Sequence, residues 1–335
     1  MPSNGPLLTI GIPTYNRAHY LEAAIRGVIP QLESFPGEVE LVVSDNCSTD
    51  DTQNIASRFA NCVYFRYYRN QINLGMAANF ALCAEKARGT FLWLIGDDDL
   101  VREDAVSRVL GVLRSRPYVD FVFINASTRP SEDRAKHGSG AAANHFPELS
   151  PAVSEDWSER DLEKWDELID PDVNCVFLGS LMVCIIRREL WMKGSEGIDF
   201  SQPFGSSLSS VYPHSVIFAK TLVGRRAFYL GYPCLIAFWG HQEWKGYLPI
   251  ISAFWLHRLL DLYAEKGVEM WRINKCRRRL LMDCGGAIIP ITMNATLPGH
   301  DLFSVRDYVK KYWFYKELWI GTLIMPVLRR MRRLI

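Results

Sequence analysis

The chain has 335 residues, of which 48% are apolar, and its formal net charge is +1. This composition suits one large α/β domain or two smaller ones, and the near-neutral charge argues against nucleic acid as a partner. The charge is uneven, because residues 131–172 hold 12 acidic and 4 basic side chains, whereas 301–335 hold 8 basic and 3 acidic ones. A basic end of this kind favours an anionic surface as partner.

Strand and helix patterns alternate through the first 125 residues. Continuous apolar runs predict strands at 7–12, 39–43, 63–68, 90–95 and 119–124. Helical spacing predicts helices between them, at 18–32, 50–60, 75–87 and 103–115. Such alternation is typical of a mostly parallel sheet flanked by helices on both faces.

The rest of the chain has a less regular pattern. Residues 126–172 are acidic and poor in apolar periodicity, which predicts a mobile, lid-like insertion with a short helix at 158–169. Order resumes at 176–191, and the last hundred residues are predicted to be mainly helical. We therefore divide the chain into 1–125, 126–240 and 241–335.

Cysteine usage and the chain ends bear on the cellular compartment. Eight cysteines are scattered without a CxxC pair, which argues against a zinc site and a thioredoxin motif. A strand-like pattern begins at Leu7 without a basic leader, so we expect no signal peptide and a cytoplasmic setting. The apolar run 318–328 is too short to span a bilayer and contains Pro326.

Polar residues follow each of the first four predicted strands. They occupy 13–17, 44–51, 70–75 and 96–99. Ligands of open parallel sheets bind beyond the carboxyl ends of the strands, so these segments predict a binding site there. Taken singly, Asp50 could instead be an N-cap, Gly75 a turn residue and Pro13 a strand stop.

Three consecutive aspartates follow the fourth strand. The D-x-D spacing of Asp97 and Asp99 can direct two carboxylates at one hard cation, Mg²⁺ or Mn²⁺. The alternative is that Asp98 or Asp99 caps the next helix. Neither a GxGxxG nor a GxxxxGK[ST] motif follows any strand, which disfavours a dinucleotide oxidoreductase and a P-loop NTPase.

Four segments together resemble a known family. They read IPTYNR, VVSDNCSTDDT, NLGMAANF and GDDDL, and they resemble the signature segments of the family 2 glycosyltransferases, which have the GT-A fold. The resemblance covers residues 7 to about 125. The later segment 179–222 is similar to the abequosyltransferase-type branch, whose members decorate bacterial O-antigen units. The implied fold class is α/β: a GT-A, Rossmann-like sheet followed by a mainly helical C-terminal region.

The resemblance implies roles for individual residues. The residues implied to hold the base and ribose are Pro13, Thr14, Tyr15, Asn16 and Arg17. Asp45 would hydrogen-bond a pyrimidine, and Asn73, Gly75 and Asn79 would lie near the ribose and phosphates. Asp97 and Asp99 match the metal-binding motif beside Asp98, and His241 could also reach the metal or diphosphate. Tyr15 could instead pack on the helix below.

An inverting transfer also needs a base for the acceptor hydroxyl. His214 stands where the family often has an acidic residue, and histidine can act as a base near neutral pH. The alternative is that His214 binds the acceptor or packs internally at a helix start. Asp199 and His241 are the reserve candidates.

The segment from Asp301 mixes aromatic residues, a short apolar run and four final arginines. Those arginines are Arg329, Arg330, Arg332 and Arg333. This composition predicts a helix that lies on anionic lipid, and the alternative is a terminal helix packed on the domain.

The predicted function is therefore an inverting glycosyltransferase that is peripheral on the inner face of the bacterial plasma membrane. It would move a sugar from a nucleotide-sugar donor to a polyprenyl-diphosphate-linked oligosaccharide. Two alternatives are a sugar nucleotidyltransferase and a non-catalytic nucleotide-sugar-binding module. Nucleotidyltransferases usually carry a Gly-rich first loop, and the first loop here, GIPTYNRAHY, is not Gly-rich. A non-catalytic binding module would not need the three aspartates, so their presence argues against that alternative.

Overall fold

A computed structural model describes residues 5–138, 140–240 and 242–326. The strands are β1 Leu8–Thr14, β2 Val39–Asp45, β3 Phe65–Arg69, β4 Phe91–Leu94, β5 Leu100–Val101, β6 Phe121–Pro130, β7 Glu159–Leu162, β8 Cys184–Arg187 and β9 Ala227–Trp239. The helices of the first 240 residues are α1 Ala18–Ser34, α2 Thr52–Ser57, α3 Met76–Lys86, α4 Ala105–Ser115, α5 Ser131–His137, α6 Arg188–Ser195, α7 Leu208–Val211 and α8 Pro213–Thr221. Those that follow are α9 Leu248–Ile250, α10 Leu256–Glu265, α11 Met270–Cys284, α12 Ile288–Met293, α13 Val305–Tyr312 and α14 Lys316–Trp319.

The strands form one mixed sheet with the order β3-β2-β1-β4-β8-β6-β9-β5, and β7 pairs with β9. Strands β1 to β4 are mutually parallel, and β6 and β9 run in the same direction because β8 is antiparallel to both β4 and β6. The strands β1, β2 and β4 are buried along almost their whole length, as expected for a sheet covered on both faces. Six strands therefore deliver their carboxyl ends to one edge.

The acidic insertion is not the mobile lid that the sequence predicts. Trp165, Leu168 and Ile169 are buried in the same core as β1, because the core side of this segment carries large apolar residues that a low average hydropathy conceals. The predicted helix at 158–169 is present only as a short 3-10 helix at Trp165–Leu168. Residues 159–162 form β7 instead, which pairs with β9. Gly231 of β9 has no side chain, so the carbonyl of Ser158 can approach it closely and accepts from the Gly231 N–H at 3.0 Å.

The C-terminal region is helical, as predicted, and packs on the same core. Tyr308, Tyr312 and Leu318 are buried, and the Tyr308 hydroxyl lies 3.1 Å from Nε2 of His257. Gly321 lies against the Leu281 carbonyl of α11, where a Cβ would not fit. The tail is therefore docked as far as Gly321. This agrees with the alternative of a terminal helix packed on the domain.

Several exposed apolar residues lie on this docked tail. They are Trp313, Phe314, Trp319, Leu323 and Ile324. The four final arginines lie outside the described residues. No helix within 5–138, 140–240 and 242–326 has both the length and the apolar character needed to cross a bilayer.

Candidate functional site

The loops after β1 and β2 meet at the carboxyl edge of the sheet and are cross-linked there. The backbone N–H of Asn16 donates to Ser48 Oγ at 2.8 Å, and Asn16 Oδ1 accepts from the backbone N–H of Thr49 at 2.7 Å. Asn16 has a φ of +53°, a left-handed conformation that asparagine tolerates better than most residues. The predicted convergence of these two segments is present in the structure.

The third segment joins the same edge through amide side chains. Asn46 Nδ2 donates to Asn73 Oδ1 at 2.7 Å, and the backbone N–H of Gly75 donates to the same oxygen at 2.9 Å. Asn79 is buried, where it accepts from the Ser44 hydroxyl at 2.7 Å and donates to the Ser44 carbonyl at 2.9 Å. Asn79 therefore joins α3 to the end of β2. Ser44 and Asn46 lie in the predicted segment 44–51, but the sequence reasoning assigned them no individual role because no charge marks them.

The aspartate turn after β4 is tied to the first loop. The Thr14 hydroxyl donates to Asp97 Oδ2 at 2.7 Å, and Arg17 Nε lies 3.1 Å from Asp97 Oδ1. Arg17 also reaches Asp98 Oδ2, at 2.8 Å. The backbone N–H of Gly96 donates to Asp99 Oδ2 at 2.7 Å, and a Cβ at Gly96 would lie only 2.5 Å from Asp98 Oδ1. The glycine therefore makes room for the carboxylates around it.

Burial perturbs two of these carboxyl groups. It raises the pKa of Asp97 to about 7, against the opposing attraction of Arg17, and Asp98 adds repulsion. Burial also raises the pKa of Asp99 well above its usual range, and the charges of Asp98 and Asp97 act in the same direction. A cation placed here would relieve both effects.

The donor chemistry therefore fits a hard divalent cation such as Mg²⁺ or Mn²⁺. Within the described parts of the chain, no group of three or more His, Cys, Asp or Glu side chains is arranged to hold a metal alone. Mg²⁺ is usually bound by one or two carboxylates, and substrate phosphates complete its coordination. His241, the third predicted ligand, lies outside the described residues.

Arg134 of α5 is a part of this site that the sequence reasoning missed. Its guanidinium donates to the backbone carbonyl of Asp98 and stacks on the rings of Tyr20 and Phe238, with its central carbon 4.8 and 5.2 Å from their centroids. The side chain is only 1% exposed. Its position in a polar, acidic stretch gave no periodic signal.

Asp45 is not placed to hydrogen-bond a nucleotide base. Its carboxylate is fully buried, and both oxygens already accept from protein donors: Ser48 N–H at 2.8 Å and the Tyr67 hydroxyl at 2.5 Å. Arg69 Nε lies 3.5 Å from Asp45 Oδ2, the oxygen that accepts from Tyr67. Burial and the bond to Asp45 raise the pKa of Tyr67, which keeps it a donor. Asp45 thus organises the second loop and does not contact solvent.

We expect the Asp45→Ala substitution to lower the free energy of unfolding by about 1–3 kcal/mol, because Ser48 and Tyr67 lose their acceptor. Thermal or urea melts would measure this. The Asp45→Ala/Tyr67→Phe double variant should lose less than the sum of the single variants, since one removed hydroxyl no longer needs a partner. An unchanged melting curve with a raised donor KM would instead support direct contact with the nucleotide.

The two candidate bases lie in different environments. His214 is the second residue of α8 and is buried with its ring edge-on to Phe218, at 5.7 Å between centroids. Burial lowers its pKa to about 4, so the imidazole is neutral at pH 7 and is out of contact with solvent. This placement departs from the expectation of an accessible base and agrees with the packing alternative.

Asp199 lies at the surface in the loop between α6 and α7. Its Oδ1 accepts from the hydroxyl and backbone N–H of Ser201, and these bonds lower its pKa. The same loop packs on the segment after β9, where Phe204 meets Tyr247 edge-on at 5.0 Å. That segment follows a strand whose carboxyl end lies on the site edge. Asp199 therefore presents an accessible carboxylate on a surface loop.

The other first-loop residues keep positions at this edge. Pro13 and Thr14 end β1 opposite Ser44 and Asp45 of β2, and Thr14 is buried. Tyr15 is half-buried, and its side chain has no described bond that decides between a nucleotide contact and packing. The first loop thus combines an interior half, which binds Asp97, with a solvent-facing half.

Comparisons with known proteins agree with this geometry. The family model for glycosyl transferase family 2 matches residues 9–173, which hold all four strand-end segments. Residues 9–173 belong to that family. The family 2 domain thus contains the aspartate turn, the cross-linked loops and Arg134.

Two curated relatives of the family 2 domain carry functional names. Abequosyltransferase RfbV of Salmonella typhimurium is 28% identical over 220 residues, which are 63% of this chain and 60% of that protein. Poly(ribitol-phosphate) beta-N-acetylglucosaminyltransferase TarS of Staphylococcus aureus is 26% identical over 147 residues, 43% of this chain and 24% of TarS. The matches thus leave two fifths or more of each relative uncovered. The predicted family and its resemblance to the abequosyltransferase branch are confirmed as similarities.

A solved structure resembles almost the whole chain. Residues 1–349 of S. aureus TarS in complex with UDP-GlcNAc superpose with a TM-score of 0.59 at 15% identity, covering 96% of this chain and 91% of that one. Likeness at this identity concerns the fold. It confirms the predicted GT-A architecture, a mostly parallel sheet with surrounding helices and a helical C-terminal region.

Proposed function

We propose that the chain is an inverting glycosyltransferase that moves a sugar from a nucleoside-diphosphate donor to a hydroxyl of a lipid-linked oligosaccharide. The observation that carries this proposal is the meeting of four strand-end loops around Asp97, Asp98 and Asp99 in a family 2 domain. The similarity to enzymes named for abequose and N-acetylglucosamine transfer supports the reaction class. The resemblance to the O-antigen branch supports a polyprenyl-diphosphate-linked acceptor.

The aspartates would hold Mg²⁺ or Mn²⁺, which neutralises charge on a diphosphate leaving group. Thr14 and Gly96 orient two of the carboxylates, and Arg134 fixes the turn that carries them. Asp199 would accept the proton of the acceptor hydroxyl as that oxygen attacks the sugar from the side opposite the leaving group. A displacement of this kind inverts the anomeric configuration.

The reaction class is tested by identifying the released product. Purified protein is first screened by thermal shift with UDP, dTDP, GDP and CDP in the presence of Mn²⁺. The sugar donor of the stabilising nucleotide is then incubated with a polyprenyl-diphosphate-linked oligosaccharide. We expect acceptor-dependent release of nucleoside diphosphate. Release of pyrophosphate would indicate a nucleotidyltransferase, and binding without either product would indicate a non-catalytic module.

We further propose that the exposed apolar residues of the docked tail bind an anionic membrane surface. Trp313 and Phe314 are 62% and 64% exposed, and Lys310 and Lys316 flank them. Aromatic side chains beside basic residues suit the headgroup region of anionic lipid. A lipid-linked acceptor would then meet the enzyme at the bilayer, on the inner face of the plasma membrane.

The Trp313→Ser/Phe314→Ser variant should sediment with phosphatidylglycerol vesicles at least severalfold less than the unaltered chain, because the inserted apolar area is lost. Trp157→Ser is the matched control, since Trp157 is exposed but lies beside β7. High salt should release the unaltered chain only in part, because screening affects charge and not insertion. Failure of the unaltered chain to bind anionic vesicles would contradict the membrane proposal.

A further inference from the structure

Arg17 occupies the position of a cation between two of the three aspartates. Its Nε lies 3.1 Å from Asp97 Oδ1, and a terminal nitrogen lies 2.8 Å from Asp98 Oδ2. The side chains of Asp97 and Asp98 are 6% and 15% exposed, so this pairing is shielded from water. The guanidinium therefore supplies positive charge that buried carboxylates require.

A divalent ion on Asp97 would compete with this guanidinium for the negative charge of the carboxylate. Metal–oxygen distances are about 2.0–2.6 Å, so an ion on Asp97 Oδ1 would lie beside the guanidinium and repel it. The other oxygen, Oδ2, already accepts from Thr14 at 2.7 Å. Occupation of Asp97 by a metal therefore weakens the attraction that holds Arg17 in place.

The two arginines of the site differ in their freedom to move. Arg134 is 1% exposed and enclosed by the rings of Tyr20 and Phe238, so its departure would disrupt packing. Arg17 has 23% of its side chain exposed and starts from the loop before α1. Of these two cations, Arg17 is the one that can be exchanged.

We propose that Arg17 is a built-in cation that exchanges with the divalent metal when the nucleotide diphosphate binds. In the donor-free protein it neutralises Asp97 and Asp98. When the metal takes its place, the guanidinium moves to the incoming phosphates, whose geometry suits its paired donors. This inference rests on the proposed function, because it assumes a metal and a nucleotide diphosphate at this edge.

The exchange makes metal binding depend on nucleotide. Metal alone must displace Arg17 into water, whereas metal with a diphosphate gives the displaced guanidinium a new partner. Coupling between two ligands is reciprocal, so the metal also strengthens nucleotide binding by the same factor. Removal of Arg17 should therefore strengthen the binding of metal alone. The same removal takes away a cation that attracts the anionic nucleotide, so nucleotide binding should not be strengthened.

The test measures Mn²⁺ affinity by electron paramagnetic resonance of free Mn²⁺, with and without UDP or GDP. We expect Arg17→Met to bind Mn²⁺ alone at least about tenfold more tightly than the unaltered chain, within the usual range of coupling. We expect nucleotide to increase the Mn²⁺ affinity of Arg17→Met less than it increases that of the unaltered chain. The Mn²⁺ affinity of Arg17→Lys, which keeps the charge, should lie between those of Arg17→Met and the unaltered chain. Arg26→Met is the matched control, because Arg26 lies on α1, the helix that follows Arg17, and pairs with Glu22.

The outcomes separate the two proposals. The exchange is overturned if a folded Arg17→Met protein binds Mn²⁺ alone no more tightly than the unaltered chain does. If Arg17→Met does not fold, the exchange is overturned when Arg17→Lys and the unaltered chain bind Mn²⁺ alone with equal affinity. Nucleotide-dependent Mn²⁺ binding that Asp99→Asn abolishes would still support the proposed metal site in that case. Absence of Mn²⁺ binding under every condition overturns both.

Discussion

The Asp99→Asn substitution should lower sugar transfer by at least about 10³-fold, roughly 4 kcal/mol of transition-state stabilisation. Asparagine keeps an oxygen that can accept from the Gly96 N–H, which now donates to Asp99 at 2.7 Å. The turn should therefore keep its shape while it loses a negative charge. Transfer assays at saturating Mn²⁺ would measure the loss.

The same variant should not melt at a lower temperature at pH 7 without metal. Burial raises the pKa of Asp99 in the folded chain above its unfolded value. Between those two values the folded state binds the extra proton, so stability falls as pH rises through the interval. An amide carries no such charge, and the variant should lose this pH-dependent destabilisation.

Asp104→Asn is the control for this experiment. Asp104 lies five residues away, where it precedes α4 and pairs with Arg108 at 2.7 Å on the surface. It should transfer sugar normally. Near-normal transfer by Asp99→Asn, or by the unaltered chain in EDTA, would contradict the metal assignment.

The Asp199→Asn substitution should lower kcat by about 10²–10⁴-fold, the usual contribution of a general base. Donor KM should be unchanged, since the proposed contact is with the acceptor. Asparagine retains the oxygen that accepts from Ser201 at 2.6 Å, so the loop should hold its conformation. Steady-state kinetics with the lipid-linked acceptor would separate the two parameters.

The His214→Phe variant distinguishes Asp199 from His214, and the pH profile tests Asp199 against an exposed histidine. Hydrogen bonds from Ser201 lower the pKa of Asp199, so this base stays ionised and activity should persist as pH falls from 8 to about 5. An exposed histidine with an ordinary pKa would lose activity near pH 6.5, whereas burial lowers the pKa of His214 to about 4, so the profile does not separate His214 from Asp199. His214→Phe should keep most of its activity, because Phe fills the packed position beside Phe218. Loss of activity in His214→Phe alone would reverse the assignment.

The alternating elements of the first half follow from local pattern. Strands buried on both faces must be continuously apolar, so LLTIGI and TFLWLI predict β1 and β4 to within two residues at each end. Parallel strands share one carboxyl edge, so the meeting of the aspartate turn with the first two loops was predictable without coordinates. The family assignment rests on the same segments.

The internal arrangement of the site was not predictable in this way. Whether a carboxylate faces a nucleotide or the interior depends on its neighbours: Tyr67 comes 22 residues after Asp45 and turns it into a buried acceptor. Arg134 reaches Asp98 across 36 residues. His214 has the position of a base in the chain and the surroundings of a core residue.

The sequence by itself determined the alternation of strands and helices in the first 125 residues and the edge at which the polar loops meet, because periodicity and strand direction are local properties. Only the tertiary structure decided that Asp45 organises a loop, that the acidic segment is packed through Trp165, and that the tail is docked through Tyr312. These outcomes depend on contacts between distant residues. Side-chain burial and pairing arise when elements pack together, so the periodicity of the sequence does not predict them.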